Sequence, residues 1–227
     1  MKRAIALVRP EPGWSATAAA ARARGLEVAG HPLFAAEAVG WRVPADAADA
    51  LLIGSAAAIR LGGPQLSQLA HLPVHAVGEA TAAAARAAGF RVERTGAGGL
   101  QHLLDAASGT PRRFLRLGGE ERVPLIPHAR QEVIERAVYR MVPQAMDAGF
   151  AAALRQAAPP LVALHSAAAA RHFAAEVARL GIERGRVFVV ALAPRIAKDA
   201  GLGWAAMHRA DAPTDAALLA MAAALCE

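Results

Sequence analysis

The residues of this 227-residue chain that could do chemistry stand where short apolar runs end. Tyr139, the only tyrosine, comes near the end of an extended run, Val133–Met141. Its phenol can donate or accept a hydrogen bond, so it is a candidate for chemistry. A lone tyrosine at such a place is also a common packing residue, so the pattern by itself leaves both roles open.

A second set of residues is suited to binding an anion. In open parallel α/β sheets, ligands bind beyond the carboxyl ends of the strands, where helix N-termini present free N–H groups. The positions of this kind are Arg9, Ser55, Gly78 to Thr81, Gly118, Gly119, Ser166 and Ala193 to Arg195. Plainer roles are open for several of them: N-caps for the serines, turn glycines, and a solvated surface side chain for Arg9. Two such sets facing each other would form a cleft for a multiply anionic ligand.

Conventional catalytic and metal-binding patterns are missing. The eight histidines show no zinc-site spacing, and no G-x-S-x-G elbow or P-loop occurs. Cys226 is the only cysteine, so it can form neither a disulfide framework nor a cysteine metal site. We expect it to be an inert thiol in a reducing cytoplasm. An enzyme with this sequence would work by holding a reactive substrate with few chemical groups.

The composition indicates a folded, basic protein. The chain is 55% hydrophobic and 19% charged, which is enough apolar material to fill a core, and its net charge is +6. A basic surface suits nucleic acid, anionic lipid or an acidic small molecule. The arginines are scattered and aromatic residues make up only 4% of the chain, which disfavours nucleic acid. No stretch approaches the length of a membrane span.

Alternating strands and helices predict an α/β protein with parallel sheets. Buried strands are expected at Ala4–Val8, Ala50–Ile53 and Leu161–Leu164, and a helix capped by Ser15 is expected to follow the first. Prolines at 124 and 127 argue against a regular helix over 120–130, where a short or broken helix is expected. The element order restarts near the middle of the chain, so we expect two related units.

The sequence resembles one known family along nearly its whole length. The resemblance is carried by Leu7-Val-Arg-Pro10, Leu51-Leu-Ile-Gly-Ser-Ala-Ala-Ala58, Val74-His-Ala-Val-Gly-Glu-Ala-Thr-Ala82, Arg116-Leu-Gly-Gly-Glu-Glu-Arg122, Val138-Tyr-Arg140, Leu164-His-Ser166 and Pro213-Thr214. As an ordered set these motifs are similar to those of the uroporphyrinogen-III synthase family. No single one of them is specific.

The resemblance implies a particular architecture. It predicts two flavodoxin-like or Rossmann-like α/β domains with exchanged halves, joined by two extended linker strands. The expected domains are residues 1–35 with 145–227, and residues 38–142. The expected linkers are residues 36–44 and 139–146.

The resemblance also implies a reaction and a site. Hydroxymethylbilane, an acidic linear tetrapyrrole with eight carboxylates, would be cyclised with inversion of ring D and loss of water, without a cofactor. Tyr139 would assist the leaving hydroxyl. The residues expected to bind substrate are Arg9, Ser55, Gly78, Thr81, Gly118, Arg122, Ser166 and Arg195. Arg195 stands where many members have hydroxyl side chains, so it either replaces them with a carboxylate contact or marks a different site.

Further expectations accompany this one. The protein is expected to be a cytoplasmic monomer with no nucleic-acid or membrane partner and with a transient contact to hydroxymethylbilane synthase. The alternative is a two-domain protein that binds an anion or a tetrapyrrole and has no catalytic activity.

Overall fold

The computed structural model describes residues 3–46, 48–109 and 111–226. The strands are β1 (Ile5–Leu7), β2 (Val28–Ala29), β3 (Phe34–Ala38), β4 (Ala50–Ile53), β5 (Val74–Val77), β6 (Val92–Gly96), β7 (Arg112–Gly119), β8 (Gln131–Pro143), β9 (Leu161–Leu164), β10 (Phe188–Ala191) and β11 (Ala206–Arg209). The helices are α1 (Gly13–Arg22), α2 (Ala56–Leu61), α3 (Glu79–Ala87), α4 (Leu100–Ala106), α5 (Ala148–Arg155), α6 (Ala167–Arg179), α7 (Pro194–Ala200) and α8 (Asp215–Cys226). The mixed α/β class with parallel strands agrees with the sequence prediction.

The chain divides into two compact units. Unit 1 contains residues 1–35 and 142–227, and unit 2 contains residues 36–141. The chain passes from one unit to the other within β3 and again within β8.

Unit 1 is built on a five-stranded sheet in the order β11-β10-β9-β1-β2, and its strand pairs are parallel. The three residues of β1 and the four of β9 are all buried, as expected for strands covered on both faces. One core cluster contains Phe150 and Phe173, and another contains Leu7 and Leu218. The strand order changes direction between β1 and β9, which makes the carboxyl ends of these two strands the expected ligand-binding edge.

Unit 2 is built on a six-stranded sheet in the order β3-β8-β7-β4-β5-β6. The strands β4, β5, β6, β7 and β8 pair in parallel. Its larger core cluster contains Leu51, Leu117 and Phe90, and a smaller one contains Phe114 and Leu104. Here the strand order changes direction between β4 and β7, so the corresponding edge lies where Ile53 and Gly119 end these strands.

The connection from β7 to β8 contains no helix. Residues 120–130 form an irregular segment between the two parallel strands. The prolines prevent a regular helix here, as predicted, but the short or broken helix that was expected over residues 120–130 is absent. A parallel crossover usually covers its sheet with a helix, so in unit 2 this part of the covering layer is made by loop residues.

Most predicted elements occur within a few residues of their expected bounds, but the helix start at Ser15 was wrong. Helix α1 begins at Gly13, with Pro12 at the N-cap position and no side-chain cap. Ser15 lies inside the helix, and its hydroxyl donates to Glu11 Oε1 at 2.7 Å. Separately, none of the helices among the described residues is both long and apolar enough to cross a membrane.

Candidate active site

A cavity of about 440 Å³ opens at the edge of unit 2 where the strand order changes direction. It lies beyond the ends of β4 and β7, the position at which open α/β sheets bind ligands. The residues that line it are Gly54, Ser55, Val77, Gly98, Gly99, Leu100, Gln101, Arg116, Leu117, Gly118, Gly119, Glu121, Arg122, Val123, Pro124, Leu125 and Tyr139. Five of the residues named from the sequence are therefore together here: Ser55, Gly118, Gly119, Arg122 and Tyr139.

Tyr139 lies on β8 directly across from Gly119 on β7. The pairing register shifts between Gly118 and Gly119, and the Glu120 N–H donates to the Tyr139 carbonyl oxygen at 2.9 Å. The phenol ring lies over Gly119, where an added methyl group would be 3.0 Å from the ring carbon Cε2. Among the described residues no hydrogen bond is made by the Tyr139 hydroxyl, so it is free to donate to a ligand in the cavity.

Arg122 lines the cavity from the segment that follows β7. Its Nη1 donates to the Gly119 carbonyl oxygen at 3.1 Å, and its Nε lies 3.2 Å from Glu135 Oε2. The side chain is 22% exposed. These contacts fold the arginine back toward Gly119, the last residue of β7 and the strand partner of Tyr139.

Ser55 is the N-cap of α2, and its hydroxyl oxygen accepts a hydrogen bond from Ala57 N at 3.2 Å. The N-cap role that the sequence left open is confirmed. The hydroxyl proton is still available, so Ser55 can cap the helix and donate to a ligand at the same time.

Two of the predicted residues of unit 2 do not line the cavity. Gly78 has a φ of +75°, and its N–H donates to the Gly96 carbonyl oxygen at 2.8 Å. Thr81 is 5% exposed and lies among the buried residues of α3. The Gly78 N–H therefore already has a partner within the protein, and Thr81 is directed into the interior.

Gln101 and Arg116 line the cavity but were not predicted. The Gln101 side-chain amide exchanges two hydrogen bonds with the backbone of Ile126, one at 2.9 Å and one at 3.0 Å. This attaches the irregular segment 120–130 to helix α4. Arg116 stands in a buried strand between Leu115 and Leu117, and an arginine in such a setting was the available sequence signal of a paired internal charge.

The corresponding edge of unit 1 carries an ionic cluster. Arg9 Nη1 donates to Asp215 Oδ2 at 2.7 Å and to the Thr17 hydroxyl oxygen at 2.8 Å, and the Thr17 hydroxyl donates to Asp215 Oδ2 at 2.6 Å. His165 Nε2 lies 3.4 Å from Asp215 Oδ1, an ion-pair distance without hydrogen-bond geometry. The His165 ring, the Thr17 hydroxyl and the Arg9 guanidinium hold the pKa of Asp215 well below its usual value.

The ionic cluster gives Arg9 a structural role. Its side chain is 28% exposed and ion-paired within unit 1, so the hypothesis that Arg9 is a solvated surface residue is wrong. The remaining N–H groups of its guanidinium could still reach a ligand, because arginine has five donors.

Ser166 and Arg195 are both exposed at this edge of unit 1. Ser166 is the N-cap of α6 and accepts a hydrogen bond from Ala169 N at 3.1 Å, so its N-cap role is confirmed as well. Arg195 is in the first turn of α7 and forms no ion pair with the residues that the structure describes. Roles of the two residues in ligand binding stay predictions.

No group of three or more His, Cys, Asp or Glu side chains within residues 3–46, 48–109 and 111–226 is placed to hold a metal ion. The polar groups that line the unit 2 cavity are mainly arginine, amide and hydroxyl donors, with Glu121 as an exposed exception. Donors of this kind are suited to an oxyanion.

Known proteins share the family and the fold of this chain. A family model described as uroporphyrinogen-III synthase HemD matches residues 15–220. The solved uroporphyrinogen-III synthetase of Helicobacter pylori is similar at 16% identity and a TM-score of 0.63, covering 98% of this chain and 99% of that chain. A mutant uroporphyrinogen III synthase of Thermus thermophilus is similar at 20% identity and a TM-score of 0.48, covering 98% of each chain. No curated protein matches the sequence.

The fold and the cavity define an α/β protein that is suited to a small anionic ligand, and the likeness to the H. pylori structure supports the same fold. The family model matches most of the length of this chain, and the chain therefore belongs to the uroporphyrinogen-III synthase family. Enzymes of this family are cyclising lyases of haem biosynthesis. The family and the activity predicted from the sequence are confirmed.

Proposed function

We propose that the unit 2 cavity is where this synthase holds the reacting end of hydroxymethylbilane. The observation that carries the proposal is the meeting of Tyr139, Arg122, Ser55 and Gly118 at the carboxyl edge of one sheet. The reaction removes the terminal hydroxyl group as water and closes the ring with ring D inverted. Departure of the hydroxyl group with the C–O electron pair, as water once it takes up a proton, leaves a reactive methylene-pyrrole cation, so the protein chiefly has to control the conformation and position of this species.

Tyr139 assists departure of the hydroxyl group in this proposal. Its ring is held over Gly119 while its hydroxyl makes no hydrogen bond to the described residues. A phenol is a weak acid, so it can act by hydrogen bonding to the leaving oxygen as well as by transferring a proton. The backbone contact from Glu120 N to Tyr139 O fixes the strand from which the side chain projects.

Carboxylates of the substrate would be bound by the donors around Tyr139. Arg122 supplies charge-assisted hydrogen bonds and Ser55 supplies a hydroxyl donor. Gly118 allows close approach because it has no side chain. Arg9, Ser166 and Arg195 of unit 1, and Gly78 and Thr81 of unit 2, stay proposed contacts from the family resemblance.

Three properties of the whole chain belong to the same proposal. The domains are residues 1–35 with 145–227 and residues 38–142, with linkers at 36–44 and 139–146. The enzyme acts as a cytoplasmic monomer without a cofactor. It receives its substrate in a transient contact with hydroxymethylbilane synthase. Sedimentation of the purified chain by itself tests whether it is a monomer. Sedimentation of the chain mixed with hydroxymethylbilane synthase tests the contact between the two proteins.

The decisive experiment is an isomer assay. Hydroxymethylbilane is supplied to the purified chain, and the uroporphyrinogen isomers are separated after oxidation. The expected product is the type III isomer. Formation of only the type I isomer, which arises spontaneously, would contradict the proposal, and thermal stabilisation by the tetrapyrrole without turnover would instead indicate a binding protein.

A further inference from the structure

Arg116 is a buried charge at the floor of the unit 2 cavity. It lies on β7 between Leu115 and Leu117, which are both fully buried, and its own side chain is 8% exposed. A buried guanidinium is costly unless its donors and its charge are matched. The acceptors and carboxylates that pair with Arg116 therefore indicate whether the site has room for a further anion.

The charge of Arg116 is only partly neutralised. Its Nη1 donates to Glu135 Oε1 at 2.7 Å and to the Val123 carbonyl oxygen at 2.8 Å. The second oxygen of the same carboxylate lies 3.2 Å from Arg122 Nε. Two guanidinium groups thus share one carboxylate. Glu121 also lines the cavity, but it is exposed to solvent, which screens its charge.

One donor of Arg116 has no acceptor. Its Nε is buried and without a hydrogen-bond partner, which is unusual for a buried polar group. The nearby Gly118 leaves space beside it, since a methyl group there would be 4.0 Å from Arg116 Nε and 3.8 Å from Arg122 Cδ. Arg116, Gly118 and Arg122 all line the cavity.

We propose that Arg116 and Arg122 form a carboxylate subsite beneath Gly118, in which one carboxylate of the acidic substrate completes the neutralisation begun by Glu135. Arg116 is a binding residue in this arrangement, and Glu135 is a positioning residue that holds both guanidinium groups. The inference rests on the proposed function for the identity of the ligand. The geometry of the three side chains does not depend on it.

The same strand pair supplies a matched control. Arg113 and Glu132 face each other across β7 and β8 as Arg116 and Glu135 do, and Arg113 Nε likewise lies 2.7 Å from Glu132 Oε2. Arg113 is 40% exposed, and neither residue lines the cavity. Arg113→Gln and Glu132→Gln therefore remove the same chemistry from the same sheet without touching the subsite.

The test measures binding of uroporphyrin I, an octacarboxylate, by fluorescence titration, with the tetracarboxylate coproporphyrin I and inorganic phosphate as comparisons. Arg116→Gln should weaken uroporphyrin binding about tenfold, the loss expected for a charge-assisted hydrogen bond. Glu135→Gln should tighten it several-fold, because the neutral amide keeps a hydrogen-bond acceptor beside both arginines while their positive charge is no longer offset. The Arg113 and Glu132 variants should stay within about twofold of the wild type.

A purely structural role for Arg116 predicts different results. It would lower stability in both Arg116→Gln and Glu135→Gln and would tighten binding in neither, and that outcome would overturn the proposal. If Arg116→Gln does not fold, Arg116→Lys keeps the charge but loses the fork of donors, and it should show the same loss of affinity. Equal affinity for phosphate and uroporphyrin would also count against a tetrapyrrole subsite.

The isomer assay separates this inference from the proposed function. Type III product from the wild type, with an unchanged KM in Arg116→Gln or Arg116→Lys, would refute the subsite alone. Absence of type III product, with uroporphyrin binding that still depends on Arg116, would contradict the proposed function and leave the subsite intact.

Discussion

The ring of Tyr139 lies against the backbone of Gly119, so close that a methyl group on Gly119 would be 3.0 Å from Cε2 and 3.4 Å from the hydroxyl oxygen. The two residues are partners in the pairing of β7 with β8, and the register shift at Gly118 and Gly119 brings them together. Gly119 thereby fixes the direction in which the phenol enters the cavity.

Replacing Gly119 should therefore affect turnover through Tyr139. Tyr139→Phe is expected to lower kcat about tenfold if the hydroxyl only positions the substrate, and about a hundredfold or more if it donates a proton. Gly119→Ala should cause a loss of similar size by displacing the ring. In the Tyr139→Phe background, Gly119→Ala should have little further effect on kcat, because the two changes act on the same group. Independent, multiplicative losses would contradict this coupling.

Gly118 should tolerate a side chain structurally but not functionally. It is not among the glycines with positive φ, so Gly118→Val imposes no backbone strain, yet its side chain would fill the gap between Arg116 and Arg122. We expect a rise in KM of about tenfold with a smaller change in kcat, the loss of a charge-assisted contact. The control is Gly40→Val, an exposed glycine with no atom within 4 Å of the added carbon. Equal kinetics of both variants would exclude a ligand from the gap.

Asp215→Asn should destabilise the protein at neutral pH. The carboxylate holds Arg9 and Thr17, and its loss should cost about 1–2 kcal/mol of unfolding free energy. The pKa of Asp215 is lowered from its usual 3.8, so its contribution is present above that value and disappears as the pH falls below it. The difference between the variant and the wild type in urea unfolding should therefore be full at pH 7 and shrink below about pH 4.

Asp199→Asn is the control for this experiment. Asp199 pairs with Arg171 at 2.9 Å, and that arginine is 61% exposed, so the pair should contribute about 0–1 kcal/mol. If Asp199→Asn lowers the unfolding free energy as much as Asp215→Asn does, the ionic cluster at the edge of unit 1 stabilises the protein no more than an exposed ion pair.

Gln101 should control the mobility of the cavity wall. Gln101→Leu removes both hydrogen bonds to Ile126, so the segment 120–130 should be cleaved faster by trypsin after Arg122 or Arg130. Mass spectrometry of limited digests measures this. Gln65→Leu, which removes only a contact of 3.4 Å to the Trp41 carbonyl oxygen, should leave the cleavage rate unchanged.

Much of the fold could be predicted because buried strands are continuous apolar runs. Ala50–Ile53 and Leu161–Leu164 were predicted with the bounds that the structure has. Strand β8 begins at Gln131, before the predicted run Val133–Met141, because Gln131 and Glu132 are polar. Its partner β7 also begins with two polar residues, Arg112 and Arg113. Arg113 pairs with Glu132 across them, and such an ion pair extends a strand beyond its apolar centre.

The candidate site was less predictable because it depends on which way side chains point. Thr81 and Ser55 are both polar residues after a strand, yet Thr81 faces the interior and Ser55 faces the cavity. The unpaired Nε of Arg116 depends on register between β7 and β8, which is not evident from an isolated strand. Tyr139 was predicted as a candidate from the sequence, whereas its contact with Gly119 is evident only in the three-dimensional structure.

The connection without a helix between β7 and β8 has an evolutionary consequence. The segment 120–130 supplies Val123, Pro124 and Leu125 to the cavity, while the strands on either side carry Gly119 and Tyr139. Loops accept insertions, deletions and substitutions more readily than the strands that they join. The part of the pocket that contacts the periphery of a ligand can therefore drift among descendants of this gene while the reacting groups are inherited unchanged.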